Sequence, residues 1–176
     1  GCVLGPLIHG LSTLEAYTAV DHEFRHHPDM FMGAYMDDVA LRGNSHVVVR
    51  AFNIFKDKTE AIGSKINFAK GKTEVLLGRY ENQQELDFSI ASYVAAGIPL
   101  ENIKLHPDNS DINPISYGYM HLGVPRGSIE YQRAAYDAQL DKNEIATRKI
   151  STLDKVQDQW VLLNWVTKHK FTYLLR

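Results

Sequence analysis

The chain is nearly without cysteine, because Cys2 is the only one among its 176 residues. A single thiol excludes any disulfide bond within the chain, so the sequence is unlike the small secreted domains that disulfides stabilise. We therefore expect an intracellular protein, located in the nucleus or the cytoplasm.

Long apolar runs are also missing. The longest of them, such as VLLNWV at 161–166, are far shorter than the roughly 20 apolar residues that a membrane-spanning helix requires. We therefore expect no membrane partner. An excess of basic charge is missing too, since the formal net charge is −2. Charge alone does not predict a nucleic-acid-binding protein.

What the sequence does contain is enough apolar material for a hydrophobic core. Apolar residues make up 44% of its 176 residues, and this length suggests one domain, or one domain and part of another. The sequence begins at Gly1 without a methionine and ends on YLLR, which has the composition of a helix interior. We therefore expect it to be a piece of a longer protein.

The first half of the sequence predicts helices around a hairpin. Apolar residues recur every three or four positions from Pro6 to His27, which indicates a helix. Asn44 and Ser45 offer an N-cap for a second helix, from His46 to about Ile62. Between the two helices, MFMGAYM and VALRG are short and apolar, which predicts a tight hairpin with acids near its turn.

The second half combines short strands with helices. KTEVLLG at 72–78 predicts a strand, and YGYMHLGVPRGS at 117–128 predicts one or two more. We interpret the polar stretch 79–116 between them as an insertion, which contains a helix at 85–97. From Ser128 onward the pattern is helical, so the whole chain is predicted to be α+β.

Two adjacent acids, Asp37 and Asp38, interrupt the apolar hairpin segments. Burying carboxylates without partners is costly, and a pair of Mg²⁺ ions compensates such charges in enzymes that transfer phosphoryl or nucleotidyl groups. Neighbouring side chains of a strand point to opposite faces, so both acids approach one metal cluster only at a bend. We predict Asp37 as the main ligand and Asp38 as a more peripheral one. The alternative is a solvated acidic turn.

A rival motif is HEFRH, from His22 to His26. It fits H-E-x-x-H, in which two histidines one helical turn apart hold Zn²⁺ and Glu23 would act as the base. The extension that supplies a third ligand requires Gly and His where this chain has Asp29 and Met32, and Pro28 ends the helix. Surface histidines near a helix C-terminus also explain the cluster. A zinc peptidase is therefore the less favoured hypothesis.

Four motifs, taken in order, resemble those of reverse transcriptases, especially the non-LTR retrotransposon type. GCVLGPLIHGL is similar to the family's Q-G-x-x-L-G-P-L segment, and AYMDD is similar to its Y-x-D-D hairpin. IGSKINFAKGKTEVL resembles the next segment, G-L-x-x-N-x-x-K-T-x-V-L, and HLGVPRGS resembles the L-G-x-x-x-G strand pair of the primer grip. The closing helices, which end on FTYLLR, resemble the start of the thumb. The resemblance spans nearly the whole chain and is weakest across 79–116.

This resemblance implies an RNA-directed DNA polymerase, which is a nucleotidyltransferase. Residues 1–127 would form the C-terminal part of its palm, an antiparallel sheet with a catalytic hairpin and helices packed on one face. Residues 128–176 would form the start of the helical thumb. The cofactor would be Mg²⁺ in a two-metal site. The partners would be an RNA template, a DNA primer and deoxynucleoside triphosphates.

The resemblance also implies roles for individual residues. Asp37 and Asp38 would hold metal. A lysine would give a proton to the departing pyrophosphate: counting three residues from Asn67 gives Lys70, whereas the K-T-x-V-L continuation gives Lys72, so both stay candidates. The residues expected to contact template, primer or nucleotide are Gly5, Pro6, Tyr35, Met36, Asn67, Leu122 and Gly123.

Structural explanations for several of these residues stay open. Tyr35 can be a core aromatic of a strand, Gly5 and Pro6 can simply begin a helix, and a lysine is most often a solvated charge. On the helix predicted at 128–151, four cations are expected to contact phosphates: Arg133, Lys142, Arg148 and Lys149. Surface solubility is the alternative role for all four.

One residue of the family pattern has no counterpart here. The family carries another metal-binding aspartate on a strand upstream of the Q-G segment, whereas Asp21 and Asp29 belong to the first helix and its exit. The two-metal site is therefore incomplete within these 176 residues, and we expect the fragment alone to be inactive. The alternative hypothesis is a non-catalytic remnant of a reverse transcriptase that acts as a binding scaffold.

Overall fold

A computed structural model describes residues 5–35, 38–69, 71–111, 113–121 and 124–165. The chain packs as two compact units, Gly1–Leu105 and His106–Arg176. Both units combine helices with short strands, so the predicted α+β class is confirmed. The division after Leu105 is a property of packing, and the palm-to-thumb boundary expected after residue 127 stays a prediction.

The helices and strands of the first unit follow in the order α1 (Gly5–Phe24), β1 (Met30–Tyr35), β2 (Asp38–Gly43), α2 (Ser45–Ala61), β3 (Val75–Leu76), α3 (Gln83–Ala95) and β4 (Ile103–Lys104). Those of the second unit are β5 (Gly118–His121), β6 (Val124–Gly127), α4 (Ile129–Ser151) and α5 (Val156–Leu163). Single 3₁₀ turns lie at Leu100–Asn102, Pro107–Asn109 and Pro114–Ser116. Within the described ranges, no helix has both the length and the apolar character needed to cross a membrane.

The first two helices lie close to their predicted bounds, the first predicted from its periodicity and the second from its N-cap residues. α1 ends at Phe24, shortly before His27, because the proline at position 28 disfavours helical backbone in the residue before it. α2 is followed by Gly63, whose φ of +79° is a left-handed conformation that glycine adopts at no steric cost. Asn44 occupies the N-cap position of α2, but its side chain makes no capping bond and donates instead to Asp29 Oδ2 at 3.5 Å.

The predicted hairpin is confirmed, and one of its faces is buried. β1 and β2 pair antiparallel, with Met32 opposite Leu41. These two residues, together with Met30 and Val39, pack against a cluster of buried residues from α1 and α2. The cluster consists of Ala16, Val20, Phe24, Val47, Ala51 and Phe55. A two-stranded hairpin is marginal by itself, so this packing is what stabilises it.

A second cluster forms on another side of α2 and includes much of the polar stretch 79–116. It contains Phe52 of α2 and Leu77, together with Leu86, Tyr93, Ala96, Ile98 and Ile103. The last five residues belong to α3 and the segment after it. The helix predicted at 85–97 is α3 (Gln83–Ala95), and its buried face closes the core of the first unit.

The described strands form three separate pairs, β1–β2, β3–β4 and β5–β6. The pairing of β3 with β4 is parallel and was not predicted; α3 provides the crossover between these two strands. The resemblance implied a single antiparallel palm sheet, and the described strands do not join into one. The palm architecture therefore stays a prediction.

The second unit has its β5–β6 hairpin against the first turn of α4. The sequence predicted one or two short strands at 117–128, and the structure has two, which pair antiparallel with Gly118 opposite Gly127. α4 begins after Ser128, whose Oγ accepts a hydrogen bond from the Tyr131 backbone N–H at 3.0 Å. α5 begins after Lys155, which occupies its N-cap position.

A pair of substitutions on α3 tests whether the stretch 79–116 carries core. Leu86 is 1% exposed and Phe88 is 69% exposed on the same helix. We expect Leu86→Ala to lower the free energy of unfolding by about 3 kcal/mol, because it leaves a cavity in the core. Phe88→Ala should lower it by less than about 0.5 kcal/mol.

Urea unfolding followed by circular dichroism measures both changes. Tryptophan fluorescence does not serve here, because Trp160 and Trp165 belong to the other unit. Equal losses for the two variants would contradict the burial of α3.

Candidate functional site

The acidic end of the β1–β2 hairpin is the first part of the candidate site. Tyr35, the last residue of β1, is the register partner of Asp38, the first residue of β2, so only two residues join the strands. These two, Met36 and Asp37, lie outside the described residues. Asp38 alternates with the inward-packed Val39 and is exposed to solvent. Its carboxylate therefore lies on the face of the hairpin away from the core.

An exposed carboxylate at this position is a hard oxygen ligand of the kind that Mg²⁺ takes. Asp38 supplies one such ligand. Across the described ranges, no three His, Cys, Asp or Glu side chains come together as a metal site. The donor at the hairpin end therefore fits Mg²⁺ in type, and the predicted main ligand, Asp37, is not among the residues that the structure describes.

The segment with the predicted lysines forms a compact turn between α2 and β3. The Lys72 backbone N–H donates to Ala69 O at 3.0 Å, and Gly71 has a φ of +77°. Two hydrogen bonds join Asn67 to this turn. Its Oδ1 accepts from the Ala69 N–H at 2.9 Å, and its carbonyl oxygen accepts from the Thr73 N–H at 3.2 Å. Lys70 lies outside the described residues, and the side chain of Lys72 is exposed.

Asn67, a predicted substrate-binding residue, thus already uses its side-chain oxygen within the loop. Its exposed amide nitrogen is the part that is left for a ligand. A residue that the sequence did not single out, Asn102, makes two hydrogen bonds to the same loop, to Phe68 O and Thr73 O. One asparagine in a polar stretch gives no sequence signal for such a contact.

The remaining predicted substrate contacts lie at the ends of other elements. Gly5 and Pro6 are the first two residues of α1, so the helix start predicted there is confirmed. The β5–β6 hairpin ends with His121 opposite Val124. Leu122 and Gly123, expected to shape the primer-grip turn, connect these two residues and lie outside the described residues.

The zinc hypothesis finds no support in the geometry of the described residues. α1 ends at Phe24, so His22 lies on the helix and His26 lies in the turn after it. The carboxylate of Glu23 forms an ion pair with Arg50. A base held in this way is not the free carboxylate that peptidase chemistry requires.

The four cations expected to contact phosphates are all exposed on α4, but they do not form one row. At 100° per residue, Lys142 and Lys149 share a face, whereas Arg133 lies on the opposite side of the helix. Arg148 forms an ion pair with Glu144 at 2.6 Å. Of the four cations, Lys142 and Lys149 are therefore the two that can approach the phosphates of one nucleic-acid strand together.

A groove of about 480 Å³ lies where α2 and α3 begin, at the far end of β2 from the acids. Ser45 and Tyr80 are in its wall and share a hydrogen bond of 2.6 Å. Next to them, burial raises the pKa of the Tyr93 hydroxyl, while a hydrogen bond with Ser45 lowers it and the charge of Tyr80 raises it. Ser45 therefore links the hydroxyl groups of Tyr80 and Tyr93 beside the groove.

Comparisons with known proteins do not identify the chain: no family model, no curated protein and no solved structure matches it.

The β5–β6 hairpin offers a direct test of its backbone. Gly127 has a φ of +137°, and a Cβ atom there would lie 2.2 Å from Tyr117 O. We expect Gly127→Ala to destabilise the hairpin by at least about 2 kcal/mol, since both the strained φ and the overlap are unfavourable. Hydrogen exchange of residues 118–127, read by mass spectrometry, measures the loss.

Gly78→Ala is the matched control, because nothing lies within 4 Å of the added Cβ and no left-handed φ is involved. Unchanged protection of the hairpin in Gly127→Ala would contradict the close approach of these two backbones.

Proposed function

We propose that this chain is part of an RNA-directed DNA polymerase, in which it provides the C-terminal palm and the start of the thumb. The activity is the transfer of a deoxynucleotide to the 3′-hydroxyl of a primer. The observation that carries the proposal is the hairpin with the acids of YMDD at its end, combined with the order of the other three motifs. Within the 176 residues the catalytic centre is incomplete.

Support comes first from the position of Asp38 on the hairpin. Its buried face packs on α1 and α2, and Asp38 is exposed on the other face. This is the orientation that a carboxylate needs in order to reach a metal-bound nucleotide. A solvated acidic turn would have the same orientation, so the function is tested through activity and not through geometry.

The residues that would hold Mg²⁺ are Asp37 and Asp38, with an aspartate that precedes this sequence in the polymerase chain. The ions would neutralise charge on the triphosphate and on the primer oxygen. Gly5, at the start of α1, would let the backbone approach template and nucleotide closely. The base of the incoming nucleotide would lie near Tyr35.

The proposed reaction forms one bond to the α-phosphorus of the nucleotide and breaks another. The primer 3′-oxygen forms a bond to the α-phosphorus while the bond from that phosphorus to the bridging oxygen breaks. The hydroxyl proton passes to water, and pyrophosphate leaves with the bonding electron pair. The lysine of the Asn67–Thr73 loop gives a proton to this leaving group, which is general acid catalysis.

Single-residue substitution in the complete reading frame that contains these 176 residues tests the proposal. We expect Mg²⁺-dependent extension of a DNA primer on an RNA template, and Asp37→Asn should lower its rate about a thousandfold or more, because losing a metal ligand removes several kcal/mol of transition-state stabilisation. The measurement is single-nucleotide incorporation resolved on a sequencing gel.

Asp57→Asn is the matched control, since Asp57 is an exposed acid on α2 of the same unit. The 176 residues alone should give no extended primer. No product from the complete reading frame would contradict the proposal and favour the non-catalytic remnant.

A further inference from the structure

Asn102 is a buried residue that contacts the Asn67–Thr73 loop, here named the lysine loop. Its side-chain nitrogen donates to Phe68 O at 2.9 Å and to Thr73 O at 2.8 Å, and the residue is 5% exposed. Both partners are carbonyl oxygens, so only the NH₂ group can satisfy them, and both of its hydrogens are used. One buried amide thus holds the two ends of the segment 68–73.

The loop is also fixed on its C-terminal side. Thr73 is followed by Glu74, whose carboxylate pairs with Lys104 at 2.9 Å while both side chains are partly buried. The Leu77 N–H donates to Lys104 O at 3.0 Å, which continues the β3–β4 pairing. The anchor of the loop is therefore the short segment that contains Asn102 and Lys104.

The path of the chain after Lys72 favours this lysine over Lys70. The K-T-E-V-L continuation leads from Lys72 directly into β3 (Val75–Leu76), and Lys72 is one residue from the carbonyl that Asn102 holds. The turn Ala69–Lys72, with its left-handed Gly71, takes up the two residues by which this chain exceeds the family spacing. The side chain of Lys72 is exposed, so its ammonium group faces solvent.

We infer that Lys72 is the proton-donating lysine of the proposed polymerase and that Asn102 is the positioning residue that holds its backbone. The inference rests on the proposed function. A general acid acts only when its proton lies within hydrogen-bond reach of the leaving oxygen, so loosening the loop lowers the rate of the chemical step. Binding of nucleotide and primer should change little.

A double-mutant cycle in the complete reading frame tests this inference. We expect Lys72→Ala to lower kcat for nucleotide incorporation about a hundredfold or more, and Asn102→Ala to lower it about tenfold with nearly unchanged KM. In the Lys72→Ala background, Asn102→Ala should have no further effect, because there is no lysine left to position. Lys70→Ala should cost much less than Lys72→Ala.

Two further variants keep the test independent of folding defects. Asn67→Ala removes the bond to the Ala69 N–H together with the exposed amide nitrogen. Its effect on kcat should be smaller than that of Asn102→Ala and should also vanish in the Lys72→Ala background, whereas a lost substrate contact would raise KM in both backgrounds. Asn113→Ala is the matched control, because exposed Asn113 makes the same type of bond, to the Ile115 N–H at 3.1 Å, away from the loop.

Multiplicative losses in the cycle, or a larger loss for Lys70→Ala than for Lys72→Ala, would overturn the inference. If the unsubstituted protein makes no product, the proposed function has failed, and the anchor is then judged by hydrogen exchange. Asn102→Ala should accelerate exchange at the Ala69, Lys72 and Thr73 amides and leave β1–β2 unchanged. Unchanged exchange in the loop would overturn the role of Asn102.

Discussion

Burial of α2 on two of its sides is the constraint on which the first unit depends. Val47, Ala51 and Phe55 recur every four residues and pack toward α1 and the hairpin. Phe52 packs toward α3, and Ile66 contacts both clusters. Both the acidic hairpin and the lysine loop pack against α2. A shift of this helix would therefore displace the two parts of the candidate site together.

The loop that follows α2 combines this apolar anchoring with hydrogen bonds. Phe68 packs against the cluster around Phe52, and its carbonyl oxygen is held by Asn102. A buried carbonyl group left without a donor costs free energy, so Asn102 is required as long as the loop keeps this path. The polar stretch 79–116 thus provides core packing through α3 and hydrogen bonding through the segment after it.

Patterns among residues close together in the sequence predicted the helices. The spacing of apolar residues predicted α1, and the cap residues Asn44 and Ser45 predicted the start of α2. The helix expected from Ser128 onward is α4, which has Ser128 as its N-cap. The β3–β4 pair was missed because parallel pairing joins residues far apart in sequence, and only the fold reveals it. Asn102 was missed for the same reason, since its partners lie about 30 residues earlier.

The candidate site was predictable in part. The hairpin around the two acids followed from apolar runs on both sides, and its register shows Asp38 directly opposite Tyr35. The choice between Lys70 and Lys72 could not be made from spacing, because a turn with a left-handed glycine can absorb two residues without altering the flanking backbone. The order of the four motifs led to the polymerase hypothesis, which primer extension tests.

We propose that divalent cations compensate the charge of the paired acids at the hairpin end. The most direct measurement is a Mn²⁺ titration of the isotopically labelled chain by NMR, in which the paramagnetic ion broadens the resonances nearest to its binding site. The account predicts that the amides of Ala34, Tyr35, Asp38 and Val39 broaden first, and that Asp37→Asn abolishes this effect. Broadening that begins at His22 and His26, or that leaves the hairpin end unaffected, would contradict it.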